Sequence, residues 1–180
     1  MSGTLRPARK IFTALAGIAL ITGFIGNIAA PLPFASAQEL SSDPVFASNF
    51  KDFGRKMQPL SQWKGKTLVV NFWATWCKTC LTEIPELIKI YDKYRSRDVV
   101  IVGVAVDNAD KVEKFTKEHG ISYPIVYGGA EVVNLSKQMG NKVGGLPFSI
   151  VIDAKGKVVS TFLGEIPKGK LEQILQQLVG

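Results

Sequence analysis

Residues 67–94 read TLVVNFWATWCKTCLTEIPELIKIYDKY, and this stretch decides the fold. Its first part, residues 67–74, is an apolar, β-branched and aromatic run that suits a strand buried on both faces. Apolar side chains then recur at helical spacing, so a helix is predicted over Lys78–Tyr94, with Ile84 and Leu87 on its buried face. A buried strand that leads directly into a helix is typical of an α/β fold.

The rest of the chain continues this alternation of strands and helices. Val99–Val106 gives the strongest strand signal. Further strands are predicted at residues 47–52, 56–60, 123–127, 148–153 and 157–163, and further helices at residues 110–119, 131–139 and 171–178. The pattern predicts an α/β sandwich in which helices flank a mixed central sheet, with a hairpin and a helix at the end of the chain.

The first 37 residues predict a secretory signal peptide. Three basic residues between positions 6 and 10 precede an apolar run that begins at Ile11, and Ala35-Ser36-Ala37 has the small-x-small pattern of a cleavage site. Cleavage there leaves Gln38 as the new N-terminus. The competing interpretation is an uncleaved membrane anchor over residues 11–30, a stretch long enough to span a bilayer. Both interpretations predict that the rest of the chain is exported.

Residues 38–44 are polar and are predicted to form a flexible leader before one domain, residues 45–180. The full chain carries a formal net charge of +7, but its first 37 residues hold three of the 22 basic side chains and none of the 15 acidic ones. The remaining 143 residues therefore carry +4. They contain no dense Lys/Arg tract with interleaved aromatic residues, so nucleic acid is not a predicted partner.

Cys77 and Cys80 are the only two cysteines among the 180 residues. Cys77 lies where the predicted strand gives way to the helix, and the free N–H groups and dipole of a helix N-terminus favour a thiolate over a thiol. Cys80 follows one helical turn later, within reach of a mixed disulfide formed at Cys77. The spacing predicts thiol–disulfide exchange in which Cys77 is the nucleophile and Cys80 the resolving cysteine.

The sequence gives less support to other roles for the two cysteines. A structural disulfide that closes so short a loop stabilises a fold by only about 2 kcal/mol. Tetrahedral zinc needs four ligands, whereas the chain offers this pair and a single histidine, His119. No resident metal or cofactor is therefore predicted. Soft thiolates do suit Cu(I), so a metallochaperone that holds copper between Cys77 and Cys80 remains the alternative, and a copper titration beside a disulfide-reduction assay separates the two.

The residues around the cysteines resemble the exported thioredoxin-like proteins of the TlpA/ResA/DsbE (CcmG) group. The central motif is Phe72-Trp-Ala-Thr-Trp-Cys-x-x-Cys80, followed by Glu83 and Pro85. Further matches are Gly65-Lys66, Tyr123-Pro124, Gly145-Leu146-Pro147 and Val151-Ile152-Asp153. The resemblance extends over residues 45–180, and this combination of motifs is far more specific than the CxxC pair alone.

This resemblance implies a thioredoxin fold with an added N-terminal β-hairpin and a central insertion over residues 107–139. It also implies a periplasmic protein-disulfide reductase whose redox disulfide is Cys77–Cys80. The implied partners are exported disulfide-containing proteins, either apocytochromes c before haem attachment or copper-site proteins of an oxidase, with a membrane thiol transporter as electron donor. A general disulfide oxidase is disfavoured by the resemblance but not by the cysteines themselves.

Four further residues are candidates for the site. Pro147 matches the family's cis-proline, which faces the active-site sulfurs, and the resemblance implies that the backbone of Leu146 pairs with a bound peptide. Glu83 matches a carboxylate near the cysteines, where a raised pKa would suit it to move protons; a solvated helix glutamate is the alternative. Trp76, directly before Cys77, is predicted to be an exposed contact for a partner, and Trp73 to lie in the core.

Overall fold

Two central strands carry the core of the sheet. In the computed structural model, which describes residues 40–180, β3 (Thr67–Trp73) is buried at every residue and β4 (Val99–Val106) at every residue but the last. They pair in parallel, from Thr67 opposite Val99 to Trp73 opposite Ala105. Their near-continuous apolar sequences account for this position, since a strand covered by helices on both faces has no solvent side.

Within the described residues, five further strands complete a seven-stranded mixed sheet in the order β2-β1-β5-β4-β3-β6-β7. They are β1 (Asn49–Lys51), β2 (Met57–Pro59), β5 (Ile125–Gly128), β6 (Phe148–Ile152) and β7 (Val158–Leu163). β5 extends the parallel set beside β4, whereas β6 runs antiparallel to β3 and β7 antiparallel to β6. The carboxyl ends of β3, β4 and β5 therefore meet the amino end of β6 at one end of the sheet, which we call the carboxyl end.

Helices cover both faces of the sheet. They are α1 (Asp43–Phe46), α2 (Lys78–Tyr94), α3 (Ala109–Glu118), α4 (Ala130–Gln138) and α5 (Lys170–Val179). α2, α3 and α5 pack on one face through residues such as Ile84, Val112 and Leu175. α1 and α4 pack on the other face through Val45 and Val132. These layers confirm the α/β sandwich with its mixed sheet.

Most predicted elements agree with the observed bounds to a residue or two. The strand expected at residues 123–127 begins only at Ile125, because Pro124 has no N–H to add to the ladder. The Pro124 carbonyl still accepts a hydrogen bond from the Gly103 N–H at 2.9 Å. The expected central insertion, residues 107–139, contains α3, β5 and α4 between β4 and β6.

The segment before the first hairpin differs from the flexible leader expected at residues 38–44. Ser41 forms a β-bridge with Lys157, and the Ser42 hydroxyl donates to the Gly156 carbonyl. Residues from Ser41 onwards are thus held against the turn between β6 and β7. The predicted signal peptide or anchor, residues 1–37, lies outside the described residues. Within residues 40–180, no helix combines the length and the apolar character needed to cross a membrane.

Candidate active site

The turn after β3 places the cysteine pair at the start of α2. Cys77 is the N-cap residue of this helix, and its sulfur accepts a hydrogen bond from the Cys80 backbone N–H at 3.2 Å. A disulfide joins Cys77 to Cys80, with 5.3 Å between their Cα atoms. Cys80 is fully buried, whereas Cys77 is 7% exposed. Cys77 is therefore the more accessible residue of the pair, and it lies at the positive end of the helix dipole.

Glu83 lies one turn beyond Cys80 in α2 and is only 4% exposed. Asn71 Nδ2 donates to Glu83 Oε1 at 2.7 Å, and the Ile166 N–H donates to Oε2 at 3.2 Å. The pKa of Glu83 is raised to about 7, mainly by burial and to a smaller extent by the charge of Glu165, which together outweigh the lowering by these two hydrogen bonds. Glu83 is thus not a solvated helix glutamate, and a carboxyl group with this pKa exchanges protons near neutral pH.

Asn71 is a site residue to which no sequence motif points. It is fully buried in the middle of β3, and its Nδ2 donates both to Glu83 and to Ser149 Oγ of β6, the latter at 2.9 Å. One signal was available, because an amide within an otherwise apolar buried strand requires hydrogen-bond partners. The sequence does not reveal what those partners are, since both lie on other elements of the fold.

Pro147 lies at the carboxyl end of the sheet, where the cysteines also lie. Phe148, the first residue of β6, is opposite Phe72 of β3 on one side and Leu163 of β7 on the other. Adjacent strands are about 4.8 Å apart, so the residue before Phe148 lies close to the turn that carries Cys77. The register therefore brings Pro147 and the cysteine pair to the same end of the molecule.

Hydrogen bonds hold the loop around Pro147 in place. The Leu146–Pro147 peptide bond is cis, and the Pro147 carbonyl accepts from the Gly164 N–H at 2.8 Å. Asn141 bonds both backbone groups of Gly145: its Nδ2 donates to the carbonyl at 2.8 Å and its Oδ1 accepts from the N–H at 3.1 Å. These hydrogen bonds hold the backbone of residues 145–147 at the carboxyl end of the sheet.

Exposed apolar side chains are present at the same end of the sheet. Trp76 is 68% exposed and Leu163 is 56% exposed, and Val143 is also exposed. Trp73, by contrast, is fully buried and packs against Phe115 with 5.4 Å between ring centroids. The two tryptophans thus occupy the environments expected from the sequence, and the exposed indole suits contact with another protein.

The described residues contain no group of three or more His, Cys, Asp or Glu side chains that could hold a metal ion. His119 follows the last residue of α3, where its ring stacks on Phe115 and its Nδ1 lies 3.0 Å from the Phe115 carbonyl oxygen. Both contacts are with Phe115, one turn earlier in α3.

Comparisons with known proteins agree with this geometry. Residues 43–178 match the Redoxin family. The thiol-disulfide oxidoreductase ResA of Bacillus cereus is 35% identical over 127 residues, covering 69% of this chain and 70% of that protein. ResA of Bacillus subtilis is 27% identical over 176 residues, covering 95% and 94%. A solved thiol:disulfide interchange protein of the thioredoxin family from Chlorobium tepidum TLS is 29% identical with a TM-score of 0.70, covering 81% of this chain and 100% of that one. The thioredoxin fold is thereby confirmed.

Proposed function

The chain belongs to the Redoxin family, in its TlpA/ResA/DsbE-like group of thiol–disulfide oxidoreductases, and from this premise we propose that it is a reductase of disulfides in exported proteins. One observation carries the proposal. A disulfide between Cys77, which is 7% exposed, and the fully buried Cys80 lies at the N-terminus of α2, one turn before the buried carboxyl group of Glu83. This arrangement supplies a nucleophile, a resolving thiol and a proton acceptor on one helix.

Reduction of a substrate begins at Cys77. In the dithiol form, the Cys77 thiolate attacks one sulfur of the substrate disulfide, and a new S–S bond joins the two proteins. The other substrate sulfur leaves as a thiolate and takes a proton from solvent. The position of Cys77 at the helix N-terminus supports its thiolate form.

Release of the substrate requires Cys80 and a base. Glu83 accepts the proton of the Cys80 thiol, and the Cys80 thiolate then attacks the Cys77 sulfur. The Cys77–Cys80 disulfide forms as the bond to the substrate breaks, and the second substrate thiolate takes the proton from Glu83 or from solvent. The substrate gains two electrons from the cysteine pair and two protons, one from solvent and one to balance the proton that Cys80 gave up.

Export and the identity of the partners belong to the same proposal. The signal-peptide or anchor pattern of residues 1–37 supports a periplasmic location. The substrates we propose are disulfide-bonded apocytochromes c or the copper-site proteins of an oxidase, and a membrane thiol transporter restores the dithiol. The family membership supports these partners, with Trp76 and the Leu146 backbone as their contacts.

The proposal is tested by mixing the reduced protein with disulfide-bonded apocytochrome c and, separately, with an oxidised copper-site protein. We expect thiols to appear on at least one substrate while the Cys77–Cys80 disulfide forms in equal amount. Tight Cu(I) binding in a titration, without the appearance of thiols on either substrate, would contradict the reductase function and support the metallochaperone function.

Removal of the exposed indole tests docking separately from chemistry. We expect Trp76→Ala to raise the KM for a protein disulfide about tenfold, because an exposed aromatic side chain beside the reactive sulfur provides apolar contact area. The rate with oxidised glutathione should stay within about twofold, since so small a disulfide barely needs that contact. Met57→Ala is the matched control, because Met57 is 52% exposed on β2, at the far edge of the sheet. An equal loss with glutathione would show that Trp76 acts on the sulfur chemistry instead.

A further inference from the structure

Asn71 links α2 to β6 across β3. Its Nδ2 donates to Glu83 Oε1 at 2.7 Å and to Ser149 Oγ at 2.9 Å, and all three side chains are buried. Within residues 40–180 no group donates to the buried Asn71 Oδ1. An unpaired amide oxygen in the interior is unfavourable. The orientation of this amide is therefore set by the two hydrogen bonds that it donates.

We propose that Asn71 is a positioning residue for proton transfer at Glu83, and that Ser149 holds Asn71 in the required orientation. This inference rests on the proposed role of Glu83 in resolving the mixed disulfide. An N–H that donates to a carboxylate stabilises its charged form, against the effect of burial. Asn71 thereby keeps Glu83 able to accept the proton of Cys80 at a pH where burial alone would leave it protonated.

The geometry lets Glu83 change its protonation state without moving. Asn71 occupies one lone pair of Oε1, and the Ile166 N–H occupies one lone pair of Oε2. Each carboxyl oxygen has a second lone pair, so a proton can be added while both hydrogen bonds persist. The carboxyl group therefore remains in place while the proton arrives and leaves.

Several other ionisable groups surround Glu83. Glu165, in the loop before α5, raises the pKa of Glu83. Glu86 of α2 and Lys168 line a cavity of about 200 Å³ that Glu83 also lines. Burial raises the pKa of Tyr123, before β5, and the charge of Glu83 raises it further. A clean test must leave all of these charges unchanged, and Asn71 allows it because its side chain is neutral.

The variant Asn71→Leu keeps the branched shape of the side chain and removes the donor. The rate at which the mixed disulfide resolves is measured on the full chain between about pH 5 and pH 9. We expect the acid limb to move to higher pH by about one unit, because Glu83 must be ionised to accept the proton. The rate at the highest pH should stay within about twofold of the starting protein. Thr67→Val, a buried polar change at the other end of β3, is the matched control and leaves the limb in place.

A double variant separates this inference from the proposed function. In the Glu83→Gln background, Asn71→Leu should shift nothing, because the titrating group is gone. If Glu83→Gln removes the acid limb but Asn71→Leu leaves it in place, the positioning role is overturned and proton transfer at Glu83 stands. If Glu83→Gln leaves the acid limb unchanged, both the positioning role of Asn71 and proton transfer at Glu83 are overturned. A rate lost equally at every pH would make Asn71 purely structural.

If Asn71→Leu does not fold, the variant Ser149→Ala tests the positioning role instead. Ser149→Ala removes one methylene-bound hydroxyl and frees the Asn71 amide to turn. We expect a smaller shift of the acid limb in the same direction. An unchanged limb in a folded Ser149→Ala protein would overturn the role of Ser149 and, without a folded Asn71→Leu protein, the inference as a whole.

Discussion

The Cys80→Ser variant should form a stable mixed disulfide with its substrate through Cys77 and lose multiple turnover at least about a thousandfold. In the starting protein, Cys80 attacks the mixed disulfide from the next turn of the same helix. Such an intramolecular attack has an effective concentration that no dissolved thiol matches. Serine keeps the size of the side chain but cannot exchange with a disulfide, so the cycle stops after its first step.

Non-reducing electrophoresis and mass spectrometry of the trapped adduct measure this outcome. Cys77→Ser is the matched control and should form no adduct, because the remaining Cys80 is fully buried whereas Cys77 is 7% exposed. Loss of the disulfide removes only about 2 kcal/mol from so short a loop, so both variants should fold. An adduct in Cys77→Ser and none in Cys80→Ser would reverse the assigned roles.

Glu83→Gln should make the protein's stability less sensitive to pH. Burial raises the pKa of Glu83 from 4.5 to about 7 in the folded protein, so the folded state holds this proton more tightly than the unfolded chain. The stability that the protonated group contributes is fully present below pH 4.5 and is lost as the pH rises to about 7. The free energy of unfolding of the variant, relative to the starting protein, should therefore rise by about 3 kcal/mol across this range.

Denaturant unfolding at several pH values measures this difference. A constant offset is also expected, because glutamine has one carbonyl oxygen for the two donors Asn71 and Ile166; only the change with pH tests the argument. Glu172→Gln is an informative control. The hydrogen bond and charge of Lys93 lower the pKa of Glu172, so Glu172 stabilises the folded state above its unfolded pKa. For Glu172→Gln, the free energy of unfolding relative to the starting protein should therefore fall as the pH rises, opposite to Glu83→Gln. A flat difference for Glu83→Gln would contradict the raised pKa.

The elements that carry the cysteines could be predicted because their signals are local. β3 and β4 are short continuous apolar runs, and α2 has the predicted bounds Lys78–Tyr94 because its periodicity starts and stops clearly. The spacing of Cys77 and Cys80 on that helix likewise needs only local geometry. The predicted strand, turn and helix therefore sufficed to predict thiol–disulfide exchange, without knowledge of the order of the other strands.

The environment of Glu83 could not be predicted in the same way. Helical periodicity places it at the edge of the buried face, but its burial depends on elements that are distant in sequence. Asn71 lies 12 residues from Glu83, Ser149 lies 78 residues from Asn71, and Ile166 lies 83 residues from Glu83. These contacts follow from the order of the strands and from the loop before α5, which no local pattern specifies.

The redox potential of the Cys77–Cys80 couple tests the assignment as a reductase most directly. The protein is equilibrated in thiol buffers of known poise, and its oxidised fraction is followed by tryptophan fluorescence, since Trp76 is adjacent to Cys77 in the chain. We expect a value near or below that of thioredoxin, about −270 mV, which requires a supply of electrons. A value near that of DsbA, about −120 mV, would identify an oxidant and contradict the account.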